Sequence, residues 1–457
     1  MFISELEEIF PPERIQKGDQ IARSYVSDLF GRHGGSAAAL VFPQSTDEVS
    51  KAVTLANHYR VPVIPRGAGT NLVGSTLPDS SGDALLIDLS RMNRILNIDT
   101  ETLTLVVEPG VLLSEVQQFV DHHQLFYPPD PGAKNASIGG NISTNAGGMR
   151  AVKYGVTRDY VRELEVVLPS GAIVILGSTN VKDATGLSLK NLIIGSEGTL
   201  GIVTQATLRL IAKPKFSQST IIPFDSLDSA LNSVPKILSS GVTPTAIEFI
   251  EGSVAKLGQE FTGFEFPAPE ANAYLLLTFD GTHNQVEADC AFIREILYEY
   301  GASDFIYLSE SESARAWGIR GSLVNAVEAR CEQEPLDLVV PINKTAEFIN
   351  FVHSLEKQTG VESVGFGHAG DGNVHLCVLR GDRNEDDWLT VRDHFLIEVY
   401  KKAAELGGLT SAEHGIGISK RPFYLNLTDP ALIDLQRQIK AAIDPRGILN
   451  PNKSYSR

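Results

Sequence analysis

The sequence predicts an α+β protein of two or three domains, and three observations carry that reading. At 457 residues the chain is longer than one core requires. Its first half alternates short apolar runs with helical spacings. Its second half sets long helical patterns beside alternating strands, and a polar stretch at residues 212–219 divides the two. Hydrophobic residues make up 42% and charged residues 21%, a balance that builds cores rather than disordered chain.

The elements follow in order. Residues 40–42 form a short apolar run, and Ser45-Thr-Asp-Glu48 reads as a capping box opening a helix through about Tyr59. Residues 61–65 are the next strand, leading into the loop at residues 66–71. Strands are predicted at 84–89 and 103–107, and a helix at 112–123. Residues 161–168 and 172–176 flank Pro169-Ser170-Gly171, a hairpin signal, and residues 202–210 supply a last strand. Beyond the polar stretch come helices at 284–300, 347–359 and 388–406, with strands at 274–279 and 374–379. This pattern predicts an antiparallel sheet with helices on one face. A final helix spans about 432–443, and the chain shows neither an internal repeat nor a low-complexity segment.

Composition narrows the function. Lys and Arg number 39 against 56 Asp and Glu, a formal charge of −17, and such a surface repels phosphate backbones, which argues against nucleic acid as a partner. The three cysteines, Cys290, Cys331 and Cys377, form no closely spaced pair, which argues against an iron–sulfur cluster or a Cys-rich zinc site. A sparse, odd count fits a reducing compartment. No stretch has the features of a signal peptide or the length of a transmembrane segment. The expectation is a cytoplasmic protein, peripheral at a membrane only through partners.

Three segments concentrate glycine and small polar residues: 66–71, 136–148 and 195–201. Glycine lets backbone amides approach a pyrophosphate, and successive amides form an anion-binding nest. Each segment alone reads equally as an ordinary tight loop. A Rossmann fingerprint is missing, because Gly67-Ala-Gly69-Thr-Asn-Leu72 lacks the third glycine and no acid stands at the ribose-reading position. NAD is therefore a poor candidate cofactor.

The ordered succession decides between these readings. Pro62-Val-Ile-Pro-Arg-Gly-Ala-Gly-Thr-Asn71, Pro129-Asp-Pro131, Ser137-Ile-Gly-Gly-Asn141 and Gly195-Ser-Glu-Gly-Thr-Leu-Gly-Ile-Val203 together resemble the FAD-binding domain of the vanillyl-alcohol oxidase superfamily, from about Leu40 to Leu210. The resemblance implies a two-subdomain, PCMH-type FAD-binding domain over residues 1–215. It implies cofactor contacts from Arg66, Gly67, Ala68, Gly69, Thr70, Asn71, Pro131, Ser137, Gly140, Asn141, Thr144, Glu197, Gly198, Ile202 and Val203. Thr70 stands where related enzymes that tether the flavin often carry His, so the FAD is expected to be non-covalent.

The second half carries a different chemistry. Gly367-His-Ala-Gly-Asp-Gly-Asn-Val-His375 places two histidines around a glycine turn, and Ser411-Ala-Glu-His-Gly415 sets a carboxylate beside a third. Two His and one carboxylate suit a divalent transition metal, although Asp371-Gly372 is also a plain turn signal and the histidines could be structural. With Trp317-Gly-Ile-Arg320, Asp337-Leu-Val-Val-Pro341 and the segment 444–451, these residues look like the D-2-hydroxy acid dehydrogenases. That branch includes D-lactate dehydrogenases, D-2-hydroxyglutarate dehydrogenases and the flavin subunit of glycolate oxidase. The resemblance implies an α+β substrate (cap) domain at 216–410 and a C-terminal helical segment, 411–457, that completes the active site. It makes His368, His375 and Glu413 ligands of a divalent metal such as zinc or manganese, His414 the base and Arg320 the carboxylate anchor.

Those types suit the chemistry of a 2-hydroxy acid, which loses a hydroxyl proton and gives a hydride to flavin N5. A cation at the hydroxyl lowers its pKa, an imidazole takes the proton, and a guanidinium fixes the carboxylate. The hydroxyglutarate branch holds a second carboxylate with Thr, Lys and Asn, where this chain has Val324, Pro335 and Cys377, so a small monocarboxylate such as D-lactate or glycolate is expected. Arg330 is the one candidate substitute anchor. Electrons are expected to leave to a quinone, a cytochrome or an electron-transfer flavoprotein, with additional glycolate oxidase subunits as further candidate partners. Three other readings remain open at this point: an oxidase or lyase of another substrate on the same scaffold, an FAD-carrying electron-transfer subunit, and a metallohydrolase without flavin.

Overall fold

The computed structural model describes residues 1–27 and 34–456. The chain divides into two compact units, one of Met1–Gly147, Val156–Lys213 and Glu413–Arg457, the other of Gly148–Gly155 and Pro214–Ala412. The final segment thus belongs to the first unit, and the break after Lys213 falls inside the polar stretch.

The first unit contains two sheets. The smaller has strand order Ile15–Lys17, Ala37–Val41, Ala84–Asp88, Val63–Arg66, its last three strands parallel. The helix Thr46–Tyr59 makes the crossover between two of them, and Val49, Ala52, Val53 and Ala56 form its buried stripe. Ser45 caps it by accepting from the Glu48 amide at 3.3 Å. The Glu48 carboxylate reaches one residue further back than a reciprocal box would, to the Gln44 amide at 2.8 Å, because Arg14 holds it there through two bonds.

The larger sheet is antiparallel, in the order Ile95–Asp99, Thr104–Val107, Ile202–Arg209, Val161–Val167, Ile173–Gly177. The expected hairpin at 169–171 is present, with Gly171 at φ +86°. The strand Ile95–Asp99 carries no sequence signal because its side chains are half-exposed or exposed throughout. The middle glycine segment departs from a loop: Ile138–Thr144 is a short helix capped by Ser137.

The second unit is built on one antiparallel sheet of seven strands, in the order Ile306–Tyr307, Phe216–Phe224, Ala273–Gly281, Ala246–Glu251, Glu362–His368, Asn373–Leu379, Gln333–Val339. The expectation of helices on one face is corrected by two neighbouring residues. Ile250 packs in a cluster with Val254 of the helix Gly252–Thr262 and Ile319 of the helix Glu310–Arg330. Glu251, on the opposite side of the same strand, meets His353 of the helix Thr345–Thr359 at 3.3 Å. All six residues of this strand are buried, so both faces are covered.

Candidate functional site

In the first unit the glycine segments lie against one another. The strand Val63–Arg66 ends at Gly67, and a side chain there would stand 2.2 Å from Ser137 Oγ. That oxygen accepts from the Ala68 amide at 3.2 Å and the Gly140 amide at 3.3 Å, so one hydroxyl ties the first loop to the start of the helix Ile138–Thr144. Gly139 meets Pro109 so closely that a Cβ would approach it to 2.6 Å. Asn141 is buried, and Thr144 closes the helix by donating to the Gly140 carbonyl at 3.3 Å. Pro131 is buried nearby in sequence.

Several predicted contact residues use their side chains on the protein itself. Arg66 faces Asp88 at 3.6 Å and lies over the Tyr25 ring. Asn71 accepts from the Val73 and Ser75 amides at 3.0 and 2.9 Å and donates to the His414 carbonyl at 3.3 Å. Glu197, at φ +52°, accepts from Ser75 and from the Ile416 and Gly417 amides at 3.0 and 2.8 Å. Gly198 presses on Pro65, while Ile202 and Val203 are buried at the start of their strand opposite Val167 and Val166. What this neighbourhood offers a dinucleotide is therefore mostly backbone and small side chains, and that suits a pyrophosphate.

The same unit holds Glu413 and His414, with Glu413 Oε1 3.7 Å from His414 Nε2. Gly147 permits a close approach, since a Cβ there would lie 3.1 Å from Glu413 Oε2. Lys453 is almost wholly buried, and burial lowers its pKa to about 8 against the pull of Asp79 and Glu197.

In the second unit a polar row crosses four adjacent strands on one face of the sheet. Glu248 is the cross-strand partner of His368, His368 of Asn373, and His375 of both Phe366 and Asp337. Alternation keeps all of them on the face covered by the helix Glu310–Arg330. The turn between the histidines places Gly372 at φ +82°, where a side chain would strike the Val340 carbonyl. His368 Nδ1 meets Glu248 Oε1 at 2.7 Å, and a carboxylate can only accept, so that nitrogen carries a proton, and in the neutral ring Nε2 keeps its lone pair. His368 Nε2 and His375 Nε2 are 3.4 Å apart.

That separation tests the metal. Two imidazoles at about 2.0–2.1 Å from one tetrahedral cation have nitrogens about 3.3–3.4 Å apart. A hydrogen bond between the two rings spans the same gap, its direction set by their tautomers. His375 Nδ1 also has a carboxylate behind it, Asp337 at 3.9 Å, and Asp337 further accepts from Asn373, Ser411 and the Ala412 amide at 3.0, 2.9 and 3.2 Å. Carboxylates behind metal-binding histidines are the usual outer shell. The residues of this unit therefore fit a divalent ion.

Arg320 is 7% exposed and its guanidinium lies 4.8 Å from the Phe366 ring. Its Nε donates to Glu248 Oε2 at 2.8 Å, and Nη2 is 2.7 Å from the same oxygen. Glu248 itself escaped the sequence reading. Its signal was a single acid inside the apolar run 246–250, a charge that burial forbids without partners. Val324 packs against the same apolar cluster, and Pro335 is the register partner of Cys377. Burial, then the neighbouring Glu328, push the Cys377 thiol up to about 12. Arg330 is exposed at the end of the helix, ten residues and about 15 Å of rise beyond Arg320.

Comparison with known proteins places these arrangements. Residues 37–177 match an FAD binding domain, and residues 213–454 match the C-terminal domain of FAD linked oxidases. A D-lactate dehydrogenase of Anaerostipes hadrus is 42% identical over 97% of this chain and 94% of that protein. A glycolate oxidase subunit GlcD of Bacillus subtilis is 36% identical over 99% of this chain and 96% of that protein. A 4-ethylphenol oxidase from Gulosibacter chungangensis shares the fold at a TM-score of 0.79 and 21% identity, covering 99% of this chain and 96% of its own. Two family matches in chain order, together with full-length relatives, leave one assignment: the chain belongs to the FAD-linked oxidases and is an FAD-dependent oxidoreductase.

Proposed function

We propose that the chain oxidises a small D-2-hydroxy monocarboxylate, D-lactate or glycolate, to the 2-oxo acid. The observation that carries this reading is the end-to-end likeness to proteins named for those two substrates. When bound, non-covalent FAD supplies the two-electron acceptor and a divalent ion, zinc or manganese, supplies the Lewis acid. His368 and His375 hold the ion, and the resemblance assigns Glu413 as its third ligand. Arg320 grips the substrate carboxylate through the parallel donors of its planar fork, which selects the C–H bond presented for oxidation. Neutral His414 takes the hydroxyl proton as the C–H bond breaks.

The surroundings of the anchor support a monocarboxylate. Val324, Pro335 and Cys377 give a second carboxylate no charged donor, Glu328 lies near enough to Cys377 to raise its pKa, and Arg330 is half a helix away. Electrons then pass to a quinone, a cytochrome or an electron-transfer flavoprotein, and the likeness to GlcD, named as a subunit, supports further subunits as the receiving partner. Among the described residues no helix is long and apolar enough to cross a membrane; we place the protein in the cytoplasm, with any membrane contact made through such partners. The test is kcat/KM for D-lactate, glycolate and D-2-hydroxyglutarate measured side by side with an artificial dye as acceptor. A monocarboxylate should lead by about 10²-fold or more, the worth of unpaired polar contacts. Preference for the dicarboxylate would overturn the substrate assignment.

A further inference from the structure

We infer that Glu248 is a positioning residue shared by the metal and the substrate anchor, one carboxylate setting both the tautomer of His368 and the plane of Arg320. The inference rests on the proposed roles of His368 and Arg320. Glu248 has no solvent exposure, and each of its oxygens has one task. Oε1 receives His368 Nδ1 at 2.7 Å, while Oε2 receives Arg320 Nε at 2.8 Å with Nη2 at 2.7 Å. A buried carboxylate needs a countercharge, and Arg320 provides it, so the pair enters the apolar interior neutral as a whole. The polarised carboxylate then holds the proton on His368 Nδ1, which turns the Nε2 lone pair towards His375 Nε2 at 3.4 Å. Both ends of the device are fixed by rigid elements. Glu248 and His368 are register partners on neighbouring strands, and Arg320 projects from a helix of 21 residues and rests on Phe366 of the same strand as His368.

The consequence is coupling. Removing the Glu248 charge should loosen the ion, by releasing the tautomer, and loosen the substrate carboxylate, by releasing the guanidinium. A merely structural acid would lower stability and flavin content without moving metal affinity separately from them.

The experiment uses the FAD-loaded protein, stripped of metal and titrated with Zn²⁺ against a chromophoric chelator, alongside Co²⁺ absorption spectra and steady-state kinetics. Glu248→Gln should weaken Zn²⁺ about 10–100-fold, as loss of an outer-shell partner does. It should also alter the Co²⁺ ligand-field bands and raise KM more than it lowers kcat, with the flavin content unchanged. Arg320→Lys, which leaves a carboxylate on His368, should raise KM while keeping Zn²⁺ affinity within about threefold of the parent. Should Glu248→Gln not yield soluble flavoprotein, Glu248→Gln with Arg320→Met removes both charges together and should show the same loss of Zn²⁺. A parent protein that binds Zn²⁺ while the Glu248 variant binds it equally well overturns this inference alone. A parent that binds no divalent ion overturns the metal reading and this inference with it.

Discussion

In the function proposed, the two units bind by opposite means. In the first, recognition is written in what is missing: Gly67, Gly139 and Gly198 bring backbone against backbone, and Arg66, Asn71 and Glu197 turn their side chains onto the protein. In the second, the proposed site is written in side chains: Glu248, His368, His375 and Asp337 stand in a row whose order follows from strand register, and Arg320 meets it from the covering helix. The difference teaches where each is vulnerable. A backbone-lined site fails when an atom is added, and a side-chain row fails when one is removed.

Predictions can break that contrast. The largest effect is expected from removing a ligand in the second unit. Chelation, or His375→Ala, should slow anaerobic flavin reduction by D-lactate by about 10³-fold or more, the worth of a lost Lewis acid, with FAD still bound. Full reduction in metal-free protein would dissolve the contrast. His414 sharpens it from the other side, as the proposed base within the backbone-lined unit. His414→Ala should keep flavin and Zn²⁺ yet lose about 10²–10⁴ in the rapid-mixing reduction rate. An undiminished rate would remove it as the base.

A smaller effect, of the opposite kind, should come from adding one methyl. Gly139→Ala places a Cβ 2.6 Å from Pro109 Cβ and 3.1 Å from its carbonyl, so the helix start must shift. We expect about 1–3 kcal/mol of lost stability and a lower ratio of flavin to protein absorbance. Normal flavin content would show that this junction tolerates movement. The smallest test alters nothing in the chain. Acid precipitation should leave a colourless pellet and a yellow supernatant, as Thr70 and the absence of cysteine from 1–215 imply; a pellet that stays yellow means a covalent flavin.

The sequence made parts of this legible for physical reasons. The capped helix Thr46–Tyr59 and the 169–171 hairpin announce themselves through local bonds that side chains near in sequence can make. The helix Glu310–Arg330 did not, although Ala316, Ile319, Leu323, Ala326 and Val327 keep helical spacing, because Gly318, Gly321 and the flanking charges break the apolar pattern. The helix Ile138–Thr144 hid for a related reason: two glycines in seven residues read as loop, and Pro109 packs against one of them. For the site, His368 and His375 were visible as a motif, while Glu248 lies 120 positions from the histidine it orients, and register alone brings them together. The lone acid in the apolar run 246–250 marks a buried charge but not its partner.

The return of the final segment to the first unit bears on how the protein is made. The edge strand Val63–Arg66 gains its last backbone partners from that segment: the Val63 amide donates to the Ile448 carbonyl at 2.7 Å, and the Asn450 amide donates to the Val63 carbonyl at 2.8 Å. Asn450 also donates to the Ser75 carbonyl, 375 positions earlier. At about 5–20 residues per second, a ribosome needs roughly 20–75 s to bridge that interval of 375 residues. Throughout it the second unit, most of it encoded in between, can fold, while the older polypeptide waits with an unpaired sheet edge open to chaperones and to misassociation. Completion of the first unit thus waits on the synthesis of residues 448–450.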